Sequence, residues 1–395
     1  NSIAAFIYDG PTAVEGTRLP YRGEGETYVA LAKVRADGRL SWAKGFGAGE
    51  AGNGTIANTS ISALAISPSG DVFIGGSLQG YNDVPAVLNL GGNPLGEGSF
   101  LAKFSADGSH QWSRNTRPGN GAEFTFSDFA VDPQGDLVAL ASFGPGGSQA
   151  MVIRYRGGDG EPQWTRLYGP VNDPNSSVTG RSLAVDGNGR IYWVGSFTGT
   201  VQMGTSRYTA PVTPLEDGII TSAPLVVALS NTGEVRWSRR LANHGEGLNT
   251  GVRDGHLLIG INGLVSAEPF ALQGYIFDLD LSGNERWGRA VGIYARGVEL
   301  GPFGEVVVAG PAPALELGVG QPPQEGAFAY VAKFRRVDGE LLKVAAISAG
   351  LNDLSIGWQT GEVSAVGEFG GTSDLGFGPL KPQGESDGYL VRLSP

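Results

Sequence analysis

Apolar residues recur along the chain in short alternating runs, which predict β-strands. The runs are enriched in valine, isoleucine, leucine and aromatic residues, and they end at Gly, Asp, Asn or Ser. No window combines apolar positions at a spacing of 3.6 with helix caps. The pattern therefore predicts an all-β protein.

One repeated element consists of a strand, a turn ending in glycine, and a tryptophan four residues after that glycine. Lys343 occupies the tryptophan position of the sixth copy, and a seventh copy, at 389–393, ends before its turn. The five complete copies end at Trp42, Trp112, Trp164, Trp237 and Trp287. Between these copies lies a second element of strand, tight turn and strand, which is clearest at 182–195. Together the two elements give a unit of four strands, A to D.

Seven such units predict a seven-bladed β-propeller, because four-stranded antiparallel blades around a channel bury both of their faces. A single domain is expected, with approximate units 1–47, 62–116, 126–168, 180–242, 248–292, 295–348 and 352–395. The first unit begins with a B strand and the last ends with a C strand, so both terminal blades are expected to be incomplete. The tryptophan on strand D is interpreted as a wedge between adjacent blades.

Composition and net charge disfavour several kinds of chemistry and partner. The chain has 65 glycines among 395 residues, which suits a fold with many tight turns, and it has no cysteine for disulfides or thiolate chemistry. Its net charge of −11, with scattered Lys and Arg, disfavours a nucleic-acid partner. No apolar run is long enough for a membrane-spanning helix, and no signal peptide is expected within these residues.

The segment 100–108 leading to Trp112, and the segment 330–334, resemble the repeats of secreted bacterial β-propeller proteins, especially those of myxobacteria. This resemblance implies a secreted or cell-surface protein. The segment 227–234 leading to Trp237 is similar to the tryptophan-docking motif of quinoprotein propellers. The cofactor-binding residues of the quinoprotein enzymes have no match here, so quinone-dependent oxidation is disfavoured and no cofactor is predicted.

Loop lengths predict where a ligand binds. In a meander the A–B and C–D turns share one face, and the B–C and D–A connections share the other. The A–B and C–D turns are short, whereas B–C connections such as 77–99 and 196–224 are long. We expect the ligand, a glycan or a protein, on this long-loop face, since binding residues concentrate on loops held by a rigid scaffold.

Four residues are the candidates for binding. His244 and Glu246 lie in a D–A connection, where an imidazole beside a carboxylate can act as a base or ligand or can simply be solvated. Trp193 on a B strand and Trp358 at the end of an A strand lie outside the tryptophan repeat, and each can stack on a ligand or pack in the core.

Metal and catalytic motifs are weak. The segments 186–189 and 278–280 are similar to pieces of calcium loops, so calcium stays open, although such Asp residues usually cap their own turns. His110 and His256 are placed on the short-turn face, away from His244, which excludes a three-histidine zinc site. The sequence favours a monomeric, non-catalytic binding module. A hydrolase or lyase with a site assembled from several blades is the alternative.

Overall fold

The computed structural model describes most of the chain. It covers residues 2–21, 27–47, 58–80, 86–116, 124–144, 148–170, 173, 175–215, 218–266, 271–291, 295, 297–311, 329–357, 360–375, 378–382 and 386–393. Strands, turns and irregular segments make up this part of the chain, which includes no helix and therefore no helix that could span a membrane. Contacts divide the chain into one unit of residues 1–168 with 187–189, and a second unit of residues 169–186 with 190–395.

The first unit holds three antiparallel sheets, blades 1 to 3. Blade 1 has the strand order β1-β4-β5 with a small hairpin, β2-β3, and blades 2 and 3 have the orders β6-β7-β8-β9 and β10-β11-β12-β13. The strands are β1 (Ser2–Tyr8), β2 (Ala13–Val14), β3 (Thr17–Arg18), β4 (Tyr28–Val34), β5 (Leu40–Phe46), β6 (Asn58–Ile66), β7 (Val72–Gln79), β8 (Gly98–Phe104), β9 (His110–Asn115), β10 (Phe124–Val131), β11 (Leu137–Phe143), β12 (Gln149–Tyr155) and β13 (Pro162–Tyr168).

The second unit holds four antiparallel sheets, blades 4 to 7, and three small hairpins. The strands of blade 4 and its two hairpins are β14 (Ser177–Val185), β15 (Ile191–Thr198), β16 (Thr200–Met203), β17 (Ser206–Thr209), β18 (Thr213–Leu215), β19 (Gly218–Ile220), β20 (Ala223–Leu229) and β21 (Val235–Arg240). Blade 5 consists of β22 (Gly245–Arg253), β23 (His256–Ser266), β24 (Ala271–Asp280) and β25 (Glu285–Ala290). Blade 6 consists of β26 (Gly297–Leu300), β27 (Glu305–Pro311), β28 (Ala329–Arg335) and β29 (Leu341–Ile347). Blade 7 consists of β30 (Gly350–Ile356), β31 (Val363–Phe369) and β34 (Asp387–Leu393), with the hairpin of β32 (Ser373–Asp374) and β33 (Pro379–Leu380).

These seven successive sheets confirm the predicted all-β fold, a seven-bladed β-propeller. Blades 1 and 7 each have three main strands in the described part of the chain, as expected from the missing A and D elements. The core of each unit lies between neighbouring blades. In the first unit, for example, Val29 and Leu31 of blade 1 pack with Ile74 and Phe100 of blade 2. Burial between blades, rather than within one sheet, therefore stabilises each unit.

The repeated tryptophans join neighbouring blades, which confirms the predicted wedge at four positions. In each case the indole Nε1–H of the fourth strand donates to a backbone carbonyl in the turn between the third and fourth strands of the next blade. The pairs are Trp42 with Ala106 (3.3 Å), Trp112 with Gly157 (3.2 Å), Trp237 with Leu281 (3.0 Å) and Trp287 with Arg336 (2.7 Å). The glycine of the receiving turn lies under the ring. At Gly339 (φ 69°), an added Cβ would lie 2.7 Å from the Trp287 ring, so the motif needs glycine for both space and conformation.

Within the described residues, a β-bulge recurs on the first strand of five blades. In the second unit the register shifts between Gly180 and Ser182 of β14, and between Gly247 and Asn249 of β22. A similar shift occurs on β30 between Leu351 and Asp353. A bulge turns an additional side chain out of the regular alternation. At β14 this side chain is Arg181, which is exposed.

Candidate functional site

The long connection between β15 and β20 of blade 4 is tied to the rest of the second unit by side-chain hydrogen bonds. The N–H of Thr200 donates to Ser176 Oγ at 2.8 Å, which holds the start of the first hairpin. Tyr208, on the second strand of that hairpin, donates its hydroxyl proton to the carbonyl of Ser238 at 2.7 Å. These bonds convert a long loop into a fixed surface on the long-loop face.

His244 holds the next part of the same connection. Its Nε2 forms a hydrogen bond of 2.6 Å with Thr213 Oγ1, at the start of the second hairpin. Its Nδ1 is buried and has no hydrogen-bond partner in the described part of the chain. One ring nitrogen is therefore engaged and the other is enclosed, so the imidazole positions the loop and presents no open nitrogen to a substrate.

Glu246 follows on β22 and belongs to a charged pair. Its backbone N–H donates to the buried Asn262 Oδ1 at 2.8 Å, which fixes the backbone there. Its carboxylate Oε2 lies 4.0 Å from the Nη2 of Arg181, the bulged residue of the neighbouring strand β14. Both side chains are about half exposed, and an exposed pair at this distance contributes at most ~1 kcal/mol. The pair therefore presents two charged groups more than it stabilises the fold.

Val212 adds an apolar group to this surface. It directly precedes Thr213, the residue bonded to His244, and it is 64% exposed. The anchored loop of blade 4 therefore presents an apolar side chain on the same face as the Arg181 and Glu246 charges. We refer to Arg181, Val212 and Glu246 as the blade 4–5 rim.

Of the two candidate tryptophans, the structure describes Trp193 and not Trp358. Trp193 lies on β15 between the cross-strand partners Leu183 and Val227 and is 0% exposed. Neither face of its ring is open to a ligand, which agrees with the core-packing interpretation. Trp358 lies outside the described residues.

The histidines and the Asp-containing turns can also be placed. His244 and His256 flank the nine-residue strand β22, so about 30 Å of extended chain separates them. Asp186 accepts the N–H of Arg190, and Asp280 accepts the N–H groups of Ser282 and Asn284, so both carboxylates cap their own turns. No group of three or more His, Cys, Asp or Glu side chains suited to a metal ion occurs within the described ranges.

Blade 5 carries an ion pair of reversed sense that the sequence interpretation missed. In blade 2, Asp71 just before the second strand pairs with Lys103 on the third strand at 2.9 Å. In blade 5, His256 occupies the position of Asp71 and Asp278 that of Lys103, with 2.7 Å between His256 Nδ1 and Asp278 Oδ2. Aligning the copies residue by residue would have revealed this reversal.

The reversed pair has unusual electrostatics. Asp278 is 0% exposed, and this burial raises the pKa of its carboxyl group, while the hydrogen bond and charge of His256 counteract the rise. Arg286 Nη1 also lies 2.7 Å from His256 Nδ1. That nitrogen donates to Asp278 when it carries a proton and can accept from Arg286 only when it does not. His256 therefore lies between a buried acid and a partly exposed arginine.

Comparison with known families gives one match, to a repeat. A family model described as beta-propeller repeat (SBBP) matches residues 163–199, which extend from β13 through β15. No protein with a curated description matches the sequence. The match supports the propeller repeat expected from the sequence, and it does not extend to a bacterial source or to secretion.

Several solved propeller structures are distantly similar. BamB from Moraxella catarrhalis is 12% identical, with a TM-score of 0.41 over 92% of this chain and 94% of that one. A quinohemoprotein alcohol dehydrogenase from Pseudomonas putida HK5 is 12% identical, with a TM-score of 0.46 over 87% of this chain and 68% of that one. The Pan2 WD40 domain from Neurospora crassa is 12% identical, with a TM-score of 0.43 over 78% and 75% of the two chains. The chain is thus a β-propeller in which residues 163–199 are similar to the SBBP repeat, and the distant structures carry no argument about its activity.

Proposed function

We propose that the protein is a non-catalytic interaction module and that its partner, another protein, binds at the blade 4–5 rim. The carrying observation is the hydrogen bond between His244 and Thr213, which fixes the loop that presents Val212. A loop already fixed before binding loses less conformational entropy when a partner docks. An exposed apolar side chain beside charged groups, here Arg181 and Glu246, is the typical arrangement of a protein-binding surface.

A protein partner is favoured over a glycan by the distribution of aromatic rings. Glycan binding commonly uses an exposed ring on which a sugar can stack. Among the described large apolar side chains that are exposed, the single aromatic one is Phe303, and it lies in a short turn between β26 and β27 on the opposite face. Trp193 is buried. The described part of the long-loop face therefore offers apolar and charged contacts without an exposed ring.

The hydrolase or lyase alternative gains no favouring observation at this rim, because His244 is committed to Thr213 and to the interior. Secretion or display at the cell surface, the monomeric state and a calcium ion stay predictions from the sequence.

The proposal is tested by capture and titration with matched variants. Wild-type protein, Val212→Glu, Glu246→Lys and the control Leu167→Glu are immobilised and exposed to an extract of the source organism. Leu167 is an exposed apolar residue of β13, outside the rim, with 47% exposure. A protein captured by wild type is purified and titrated calorimetrically against all four.

We expect both rim variants to bind this partner with an affinity about tenfold or more below that of wild type, as for a central interface residue, and we expect the control to bind it as wild type does. Equal affinity of wild type and both rim variants for every captured protein would refute the placement of the site. Specific binding of wild type on a glycan array, lost in Glu246→Lys, would replace the protein partner with a glycan.

A further inference from the structure

The outer edge of blade 7 differs from that of the other blades. Its sheet ends at β34, and β31 is the only strand that pairs with β34 within the described ranges. In each of the other six blades, the strand equivalent to β34 is covered on its outer side by one more strand. The covering strands are β5, β9, β13, β21, β25 and β29. The outer side of β34 is therefore an open sheet edge, of the kind that pairs readily with another segment.

β34 is also much less buried than its equivalents. The strands β4, β8, β12, β20 and β28 each bury at least five of their seven residues. Of the seven residues of β34, Val391 alone is buried. Tyr389, Leu390 and Leu393 are partly exposed apolar side chains. A strand that covers β34 would remove apolar surface from water, which favours its binding.

Other blades show which backbone groups of β34 face outward. In blades 2, 4 and 5, the residue at the position of Gly388 accepts a hydrogen bond from an N–H at the end of the covering strand. The carbonyl and N–H pairs are Ser99 with Thr116 (2.8 Å), Pro224 with Leu241 (3.2 Å) and Gly274 with Val291 (2.9 Å). Alternate residues of an antiparallel strand direct their backbone groups to the same neighbour. The backbone of Leu390 therefore faces outward, as that of Gly388 does.

The covering strands indicate what kind of segment fits this edge. Five of the six contain a tryptophan, then a small residue, then lysine or arginine. The copies are 42–44, 112–114, 164–166, 237–239 and 287–289. In each copy the basic residue pairs with the equivalent of Leu390, and the tryptophan pairs with the equivalent of Arg392. A basic segment also complements the net charge of −11.

We propose that the open edge of β34 binds an extended segment of a partner protein, which carries this tryptophan–small–basic pattern and pairs antiparallel to β34. Its basic residue lies opposite Leu390 and its tryptophan opposite Arg392. Backbone hydrogen bonds supply the affinity, and the register of side chains supplies the specificity. A second copy of this chain is disfavoured, because all five copies of the pattern are already paired within their own blades.

The test titrates fluorescent peptides with the 395-residue protein and follows their anisotropy. The parent peptide has the sequence of residues 234–241, which includes the covering strand of blade 4. Two N-methylated versions are compared with it. Methylation at Arg239 removes an N–H that faces β34 in the proposed register. Methylation at Ser238 removes an N–H that faces away from β34, and it is the matched control.

We expect the parent peptide and the Ser238-methylated peptide to bind saturably, and the Arg239-methylated peptide to bind about tenfold or more weakly. Leu390→Pro removes the outward donor of β34 and should weaken the parent peptide by a similar factor. Val344→Pro, on the outer strand β29 of blade 6, and Val212→Glu, in the blade 4–5 rim, should bind it as wild type does. Failure of this edge and failure of the rim are therefore distinguishable.

Hydrogen exchange of the Leu390 amide gives a second readout that needs no variant. This amide should exchange rapidly in the protein alone and become protected when the parent peptide is added. Equal affinity of the two methylated peptides, no saturable binding, or protection before peptide is added would overturn the proposal. Unchanged affinity after Trp237→Ala in the peptide would overturn the proposed pattern. Self-association of wild type that disappears in Leu390→Pro would assign the edge to a second copy instead.

Discussion

Replacing Thr213 by valine tests how far the blade 4 loop depends on His244. Valine keeps the branched shape and removes the hydroxyl that bonds His244 Nε2 at 2.6 Å. A hydrogen bond of this kind contributes about 0.5–1.5 kcal/mol net. Because RT is ~0.59 kcal/mol, its loss should raise the open population of the loop by about twofold to about thirteenfold.

Hydrogen exchange measures that population directly. The N–H of Ala210 donates to the carbonyl of Gly199 at 2.8 Å, and the strands β16 and β17 pair between these residues. We expect their amides to exchange faster in Thr213→Val by the same factor, while amides of β23 keep their wild-type rates. A partner that requires the closed loop should bind more weakly only to the extent that the closed fraction falls, since apparent affinity scales with the competent population.

A matched control separates this anchor from the general effect of a lost hydroxyl. Thr232 forms a hydrogen bond of 2.9 Å with Ser230 Oγ in a short turn on the opposite face. Thr232→Val should leave the exchange of β16 and β17 unchanged. Wild-type exchange in Thr213→Val would refute the anchor and, with it, the argument that Val212 is presented by a fixed loop.

Three further predictions concern stability and are checked by urea unfolding. Trp287→Phe removes the indole donor from the 2.7 Å bond to the next blade and should destabilise the protein by about 1–2 kcal/mol, with a lower urea midpoint. Burial tends to raise the pKa of Asp136, but hydrogen bonds from Gly157 and other donors outweigh this effect and lower the pKa. The carboxylate therefore stabilises the fold above about pH 4, and this contribution is lost as the pH falls through the pKa of Asp136 in the folded protein. We expect the urea midpoint of Asp136→Asn to fall less steeply in acid than that of wild type. Asp278→Lys alone should destabilise the fold by about 3 kcal/mol, because it places an unpaired charge in the interior. Adding His256→Asp should restore most of that loss, because the double variant has the same pair as blade 2. Equal urea midpoints of the single and double variants would contradict the correspondence between the two blades.

Much of the fold follows from the sequence because a propeller repeats one local pattern. Alternating strands, glycine turns and spaced tryptophans each specify a contact within one blade or with the next, as Trp237 shows with Leu281. Such contacts join residues of one repeat or of two successive repeats, so the period of the sequence reveals them. The incomplete terminal blades followed from the same count. The β-bulges were not predicted, because a bulge depends on how neighbouring first strands pack, which strand periodicity does not encode.

The sequence predicts which loops are long, but it does not predict which side chains contact each other at the candidate site. His244 bonds Thr213 of the long connection of blade 4, and Glu246 lies at the start of β22 rather than in a connection. Their partners Thr213 and Arg181 come from another loop and another strand, and no spacing in the sequence relates them. Trp193 shows the reverse problem, because a tryptophan outside the repeat register gives no indication of whether its ring is open or enclosed.

Departures from the repeat are the best guide to function in this protein, because the repeated positions are explained by packing. Two such departures lie in blades 5 and 6. His256 and Asp278 reverse the ion pair of blade 2, and Lys343 replaces the docking tryptophan. In blade 6 Phe303 and Val337 are exposed apolar residues in turns. Lys343 cannot make the indole hydrogen bond that joins other blades to their neighbours, and such exchanges of stability for exposed chemistry are typical of binding surfaces. If the exposure of Phe303 and Val337 contributes nothing to the fold, replacing both by serine should maintain or raise the urea midpoint, and a lower midpoint would show that the two residues serve the fold.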